Sequence, residues 1–129
     1  MLNRQKTSLP DISLDGNWTR RASASDTETA VASLAHWSPE SGQTMLIKRF
    51  DLPMRDVCVS YWLRLETAPT NARMRINQRE YGEIPTSLEI DVTDEVMLED
   101  NEIAFSLPAQ AQGAFGDIRL IVRPCDEHD

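Results

Sequence analysis

Histidine and cysteine are scarce in this 129-residue chain, with two of each. His36 and His128 stand apart, and so do Cys58 and Cys125. No CxxC, CxxH, HExxH or EF-hand spacing occurs, which argues against a dedicated transition-metal site. A chain of this length can fold without a covalent staple, so both cysteines are expected to be unpaired small hydrophobes. Positive charge is also in deficit: 13 Lys and Arg face 21 Asp and Glu, a net −8. Such a balance repels polyanions and argues against nucleic acid as a partner. No run approaches the roughly 20 apolar residues that span a bilayer, so no membrane segment is expected. Arg4 and Lys6 lead into a stretch without the apolar centre of a secretory signal. The expected location is therefore the cytoplasm, or an extracytoplasmic compartment if a leader has been removed.

What is there is an ordinary globular composition, with 40% hydrophobic and 26% charged residues. One domain is expected over residues 12–124, with a flexible N-terminal arm at 1–11 and an acidic tail at 125–129. Gly16 to Ala22 reads as a strand, and residues 23–29 as a polar loop. Ala30–Trp37 fits either a short helix or a strand. Thr44–Pro53 reads as a strand closed by proline. In Val57–Leu65, Val57, Val59, Tyr61, Leu63 and Leu65 alternate with Cys58, Ser60, Trp62 and Arg64, the period of a strand with one buried face. Ala72–Asn77, residues 87–93, Glu102–Leu107 and Asp117–Pro124 repeat the scheme. Seven or eight short strands without a crossover helix predict an all-β antiparallel sandwich.

The ordered landmarks resemble the N-terminal sugar-binding domain of family 2 glycoside hydrolases. That family's early G-x-W is similar to Gly16-Asn17-Trp18, and its L-P-H-x-W to Leu34-Ala35-His36-Trp37. Its F-x-L-P is similar to Phe50-Asp51-Leu52-Pro53. Ala72–Gln78 with Tyr81-Gly82 resembles its strand-and-turn segment, and Leu88–Asp94 its F-x-x-D-V-T-D. Glu99–Ile103 resembles a G-x-N-x-L turn, and Gly113–Leu120 the closing strand. The resemblance spans about residues 14–123. It implies a galactose-binding-like jelly roll and carbohydrate binding. The chain departs from the pattern at Gln78, Glu99, Met45-Leu46 and Ala35, which weakens the functional implication more than the fold. The family's catalytic glutamates belong to a separate (β/α)₈ barrel, for which 129 residues are too few, so no enzyme activity is expected.

Asn77 reads as a turn residue and Gly82 as the site of a bend or close strand approach. Asp91, Thr93 and Asp94 read as strand-end caps. A structural calcium ion is the alternative there, although two acids in one turn under-specify it. No other cofactor is implied. Trp18 belongs to the core. His36 reads first as a packed histidine, since no local partner equips it for acid–base work. Beside it, Trp37 flanks a loop. Trp62 and Arg64 face away from the core, and so do Arg73 and Arg75. If their strands pair, the four form a tryptophan–arginine surface of the kind found at interfaces. Trp62 can also stack on a sugar ring. The candidate contact residues are thus Trp62, Arg64, Arg73, Arg75, His36 and Trp37, with no catalytic set. A protein-interaction or self-association module ranks first, a carbohydrate-binding module second and an enzyme last.

Overall fold

The computed structural model describes residues 10–22, 28–34, 37, 43–54 and 58–125. They form ten strands: β1 Ile12–Ser13, β2 Gly16–Ala22, β3 Thr29–Ser33, β4 Thr44–Phe50, β5 Val59–Leu65, β6 Arg73–Ile76, β7 Arg79–Glu83, β8 Leu88–Asp91, β9 Asn101–Leu107 and β10 Ile118–Pro124. One sheet has the order β1-β10-β5-β8 and the other β3-β2-β4-β9-β6-β7. Every pairing is antiparallel. The result is an all-β jelly-roll sandwich. The ambiguous segment is a strand over Thr29–Ser33, where Val31 pairs with Trp18. Two elements go beyond the sequence reading: the two-residue β1 and the charged β7. The proposed arm contributes Pro10 and Asp11 to the described residues; residues 1–9 and 126–129 lie outside them, as does Val57.

Alternation builds the core. On β5, Tyr61, Leu63 and Leu65 are buried while Arg64 is exposed and Trp62 half-buried. Leu63 stands between Leu120 and Ile90, its partners on β10 and β8. On the facing sheet, Phe105 stands between Leu46 and Met74. Aromatic rings run through the interior: Trp18 to Phe105 at 5.8 Å, Phe105 to Phe115 at 5.1 Å, and Phe115 to Trp37 at 6.1 Å, edge-on. Such geometries suit ring quadrupoles beyond the area they bury. The Trp18 indole N–H donates to the Leu14 carbonyl at 2.7 Å, so its polar atom costs little to bury. Lys48 is also buried; its ammonium donates to the Gly16 carbonyl at 2.6 Å, and desolvation lowers its pKa.

The expectation of unpaired cysteines is corrected: Cys58 and Cys125 form a disulfide. Val59 pairs with Pro124, so the residues just outside that pair face each other with their Cα atoms 5.4 Å apart. That separation lies within the range a disulfide bridges. Distant in sequence, they meet only because β5 and β10 are neighbours.

Candidate functional site

Three connections gather at one end of the sandwich: β4 to β5, the β6–β7 turn, and β8 to β9. Asn77 joins the last two. Its backbone takes a φ of 51°, a conformation that asparagine tolerates better than most residues. Its side-chain amide donates to the Glu95 carbonyl at 2.6 Å and to Asn101 Oδ1 at 3.1 Å, and its Oδ1 accepts the Glu102 N–H at 2.8 Å. Asn101, fully buried, accepts from Met97 N–H and donates to Met97 C=O, both at 2.7 Å. The asparagine pair thus pins the β8–β9 connection to the β6–β7 turn. Leu52 N–H donates to the Leu98 carbonyl at 2.8 Å, and Asp100 N–H to Asp51 Oδ1 at 2.9 Å, which adds the β4–β5 connection.

Between these segments lies a groove of about 610 Å³, lined by Arg75, Asn77, Gln78, Arg79, Asp94, Glu95, Met97, Asp100 and Glu102. A second hollow, lined by Arg49, Phe50, Asp51, Asp100, Asn101 and Glu102, adjoins it. Their ionic groups are prearranged. Glu102 receives Arg49 on one oxygen at 3.1 Å and Arg75 on the other at 3.0 Å. Arg49 also reaches Glu28 at 3.3 Å, so charge alternates across four strands or strand ends. Arg75 donates a further bond to the Asn77 carbonyl at 2.7 Å. Arg79 lies over the Tyr81 ring at 5.0 Å and faces Glu95 at 3.5 Å. Burial, then the Glu95 carboxylate that accepts its O–H, pushes the Tyr81 phenol up to about 12. Exposed pairs of this kind contribute about 0–1 kcal/mol each, so their effect is orientation more than stability.

The six sequence candidates do not converge. Trp62 and Arg64 lie on the outer face of the four-stranded sheet, whereas Arg73 and Arg75 belong to the six-stranded one. The joint tryptophan–arginine surface is therefore absent: β5 takes β8 and β10 as neighbours, and β6 takes β7 and β9. Arg123 lies over the Trp62 ring at 4.7 Å and donates to Glu89 at 2.7 Å; Arg64 meets the same carboxylate at 3.7 Å. One face of Trp62 is thus already covered. Arg75 enters the groove, and Arg73 is exposed beside Glu83, its partner on β7. Trp37 is buried against Phe115 and takes no part in a surface; its indole N–H has no hydrogen-bond partner among the described residues. His36 lies outside the described residues.

Asp91 caps its turn, accepting the Thr93 hydroxyl at 2.6 Å and the Thr93 N–H at 2.9 Å. Thr93 in turn accepts the Tyr61 N–H at 2.9 Å. Among the described residues no three His, Cys, Asp or Glu side chains come together as a metal-ligand group. Also among these residues, no helix is long and apolar enough to cross a membrane. Sequence reasoning missed Arg49, Arg79, Glu95, Asn101 and Glu102 as a group. A signal existed for one: Asn101 holds the asparagine position of the turn motif.

No protein-family model and no curated protein matches the chain. Solved structures do. An FMN-binding β-glucuronidase from Facaelibacterium prausnitzii L2-6 superimposes with a TM-score of 0.69 at 17% identity, over 89% of this chain and 22% of that one. A β-glycosidase from Bacteroides vulgatus gives 0.71 at 18%, over 88% of this chain and 20% of that one. A glycosyl hydrolase family 2 member from Bacteroides cellulosilyticus DSM 14838 gives 0.68 at 16%, over 88% and 21%. What they share is the fold. This chain spans about a fifth of the length of each of these proteins.

Proposed function

We propose that the chain is a non-catalytic carbohydrate-binding module whose contact site is the groove around Asn77. Two things support this reading: a jelly roll shared with glycoside hydrolases, and a groove rich in planar hydrogen-bonding groups held in fixed orientation. The observation that carries it is the Asn77–Asn101 pair, which joins two of the three loops without using the carboxylates that line the groove. Preorganised donors and acceptors of this kind suit vicinal hydroxyls, because little side-chain order is lost on binding. The groove and its neighbouring hollow carry three arginines, Arg49, Arg75 and Arg79, against five carboxylates, Asp51, Asp94, Glu95, Asp100 and Glu102. All three arginines already face carboxylates. The excess is acidic, so the ligand class is an uncharged oligosaccharide rather than a uronate or sulfated glycan.

A glycan array followed by calorimetry tests this. Uncharged β-glucosides, β-galactosides or β-mannosides should bind, and Arg79→Ala with Asp94→Ala should weaken binding at least tenfold without altering the melting temperature. The reading fails if uncharged sugars do not bind, or if uronates bind better. The Cys58–Cys125 disulfide supports an oxidising, extracytoplasmic setting over the cytoplasm. Thiol labelling of the protein in its native cells checks that: labelling at both cysteines would reject it.

A further inference from the structure

The large hydrophobic side chains exposed among the described residues are three: Met54 at 83%, Met97 at 51% and Leu98 at 52%. They sit on adjoining connections. The Leu52-to-Leu98 backbone bond sets the two connections side by side, and Met54 is two residues beyond Leu52, so its Cα lies within about 7–8 Å of that of Leu52. A single exposed hydrophobe needs no explanation, but a cluster on adjoining loops marks a contact site. Methionine suits such a surface because its unbranched, polarizable side chain adapts to varied partners.

The rim decides the partner. Asp94, Glu99 and Asp100 surround Met97 and Leu98 in sequence, and none of the three carboxylates has a cationic partner among the described residues. Arg79, close by, already faces Glu95. Two copies docking through this patch would bring these carboxylates together on chains already at −8. Like-charge juxtaposition of that kind disfavours self-association. Flexible thioether and isobutyl groups give sugar hydroxyls no hydrogen bonds and no flat ring to stack on. We infer that Met54, Met97 and Leu98, rimmed by Asp94, Glu99 and Asp100, form a docking surface for a protein segment that pairs apolar side chains with lysine or arginine.

The surface adjoins the groove and shares Asp94, Met97 and Asp100 with its lining, whereas Met54, Leu98 and Glu99 lie outside it. A Met54→Ser, Leu98→Ser variant that loses peptide binding while keeping sugar binding therefore tells the two readings apart. The test is a random peptide display library panned on the full chain, with a Met54→Ser, Met97→Ser, Leu98→Ser triple variant as the counter-target. Exposure of all three side chains means the variant should melt within a few degrees of the parent. Enriched peptides should combine leucine, phenylalanine or methionine with basic residues. One of them, made synthetically, should bind the triple variant at least tenfold more weakly than the parent. Its affinity for the parent should also fall when salt screens the rim. Three results would overturn the inference: no enrichment, acidic or charge-free peptides enriched instead, or equal binding to parent and variant. Sedimentation showing a dimer that the triple variant abolishes would replace it with self-association.

Discussion

Phe105 and Asn101 sit four residues apart on one strand, and neither is exposed to solvent. Phe105 is held by the Trp18 and Phe115 rings between Leu46 and Met74 on the neighbouring strands, whereas Asn101 is held by hydrogen bonds to Met97 and Asn77. The first kind of burial is non-directional and tolerates many neighbours. The second is directional, and leaving a single partner unmade is costly. The difference sorts the molecule: apolar burial makes the sandwich, and polar burial shapes the end where loops converge.

The largest expected effect is in the interior. Phe105→Ala removes the ring that joins Trp18 to Phe115 and should cost about 3–5 kcal/mol. Denaturant unfolding measures it. A cost below about 1 kcal/mol would mean that the interior collapses around the gap and that the aromatic chain is not the centre of the fold.

The disulfide comes next. It closes a loop of 67 residues in sequence separation, for which chain entropy gives about 4 kcal/mol, with measured values commonly about 2–4. Reduction, or Cys58→Ser with Cys125→Ser, should lower the melting temperature accordingly. It should do so without emptying the interior, since Leu63, Leu120 and Phe105 keep their contacts.

Asn101→Ala is the polar counterpart of the first substitution. It strips partners from both the Met97 amide and carbonyl and should cost about 2 kcal/mol, less than the ring. Its signature is local: amide exchange should rise across residues 95–100 while the sheet centres stay protected. If protection falls equally everywhere, polar and apolar burial act as one unit and the distinction between them fails.

The same distinction explains what the sequence discloses. Alternation exposes an apolar face directly, so Tyr61, Leu63 and Leu65 are assigned inward from their spacing alone. β7 is illegible by that route: an edge strand of Arg79, Glu80, Tyr81, Gly82 and Glu83 has no buried face to advertise. Its register shift opposite Met74 and Arg75 and the positive φ of Gly82 match the bend expected at that glycine. Asn77 is readable as a turn, but its grip on Glu95, Asn101 and Glu102 is not, because those partners are fixed by which strands neighbour one another. The same gap misplaces Trp62: it does face outward on β5, but sharing a face with Arg73 and Arg75 requires a pairing that alternation does not encode. The disulfide is hidden for the same reason.

The smallest expected effect probes the polar end by pH. Hydrogen bonds from the Thr93 hydroxyl and then its N–H hold the Asp91 carboxyl below the ordinary 3.8. Arg49 does the same for Glu28, and Arg119 for Asp117. A carboxylate whose folded value is depressed binds protons less readily folded than unfolded. Its stabilisation is therefore full above the ordinary carboxylate range and is lost as pH falls through the folded value. Asp91→Asn keeps an acceptor for Thr93 but removes the charge. It should be slightly less stable than the parent at about pH 7, and the gap should narrow as pH falls from there toward about 2, through the depressed folded value. Urea titrations at both pH values decide it. A gap that does not change with pH would show that Thr93 needs the shape of the aspartate and not its charge, making this turn a packing device like the interior rather than an electrostatic one.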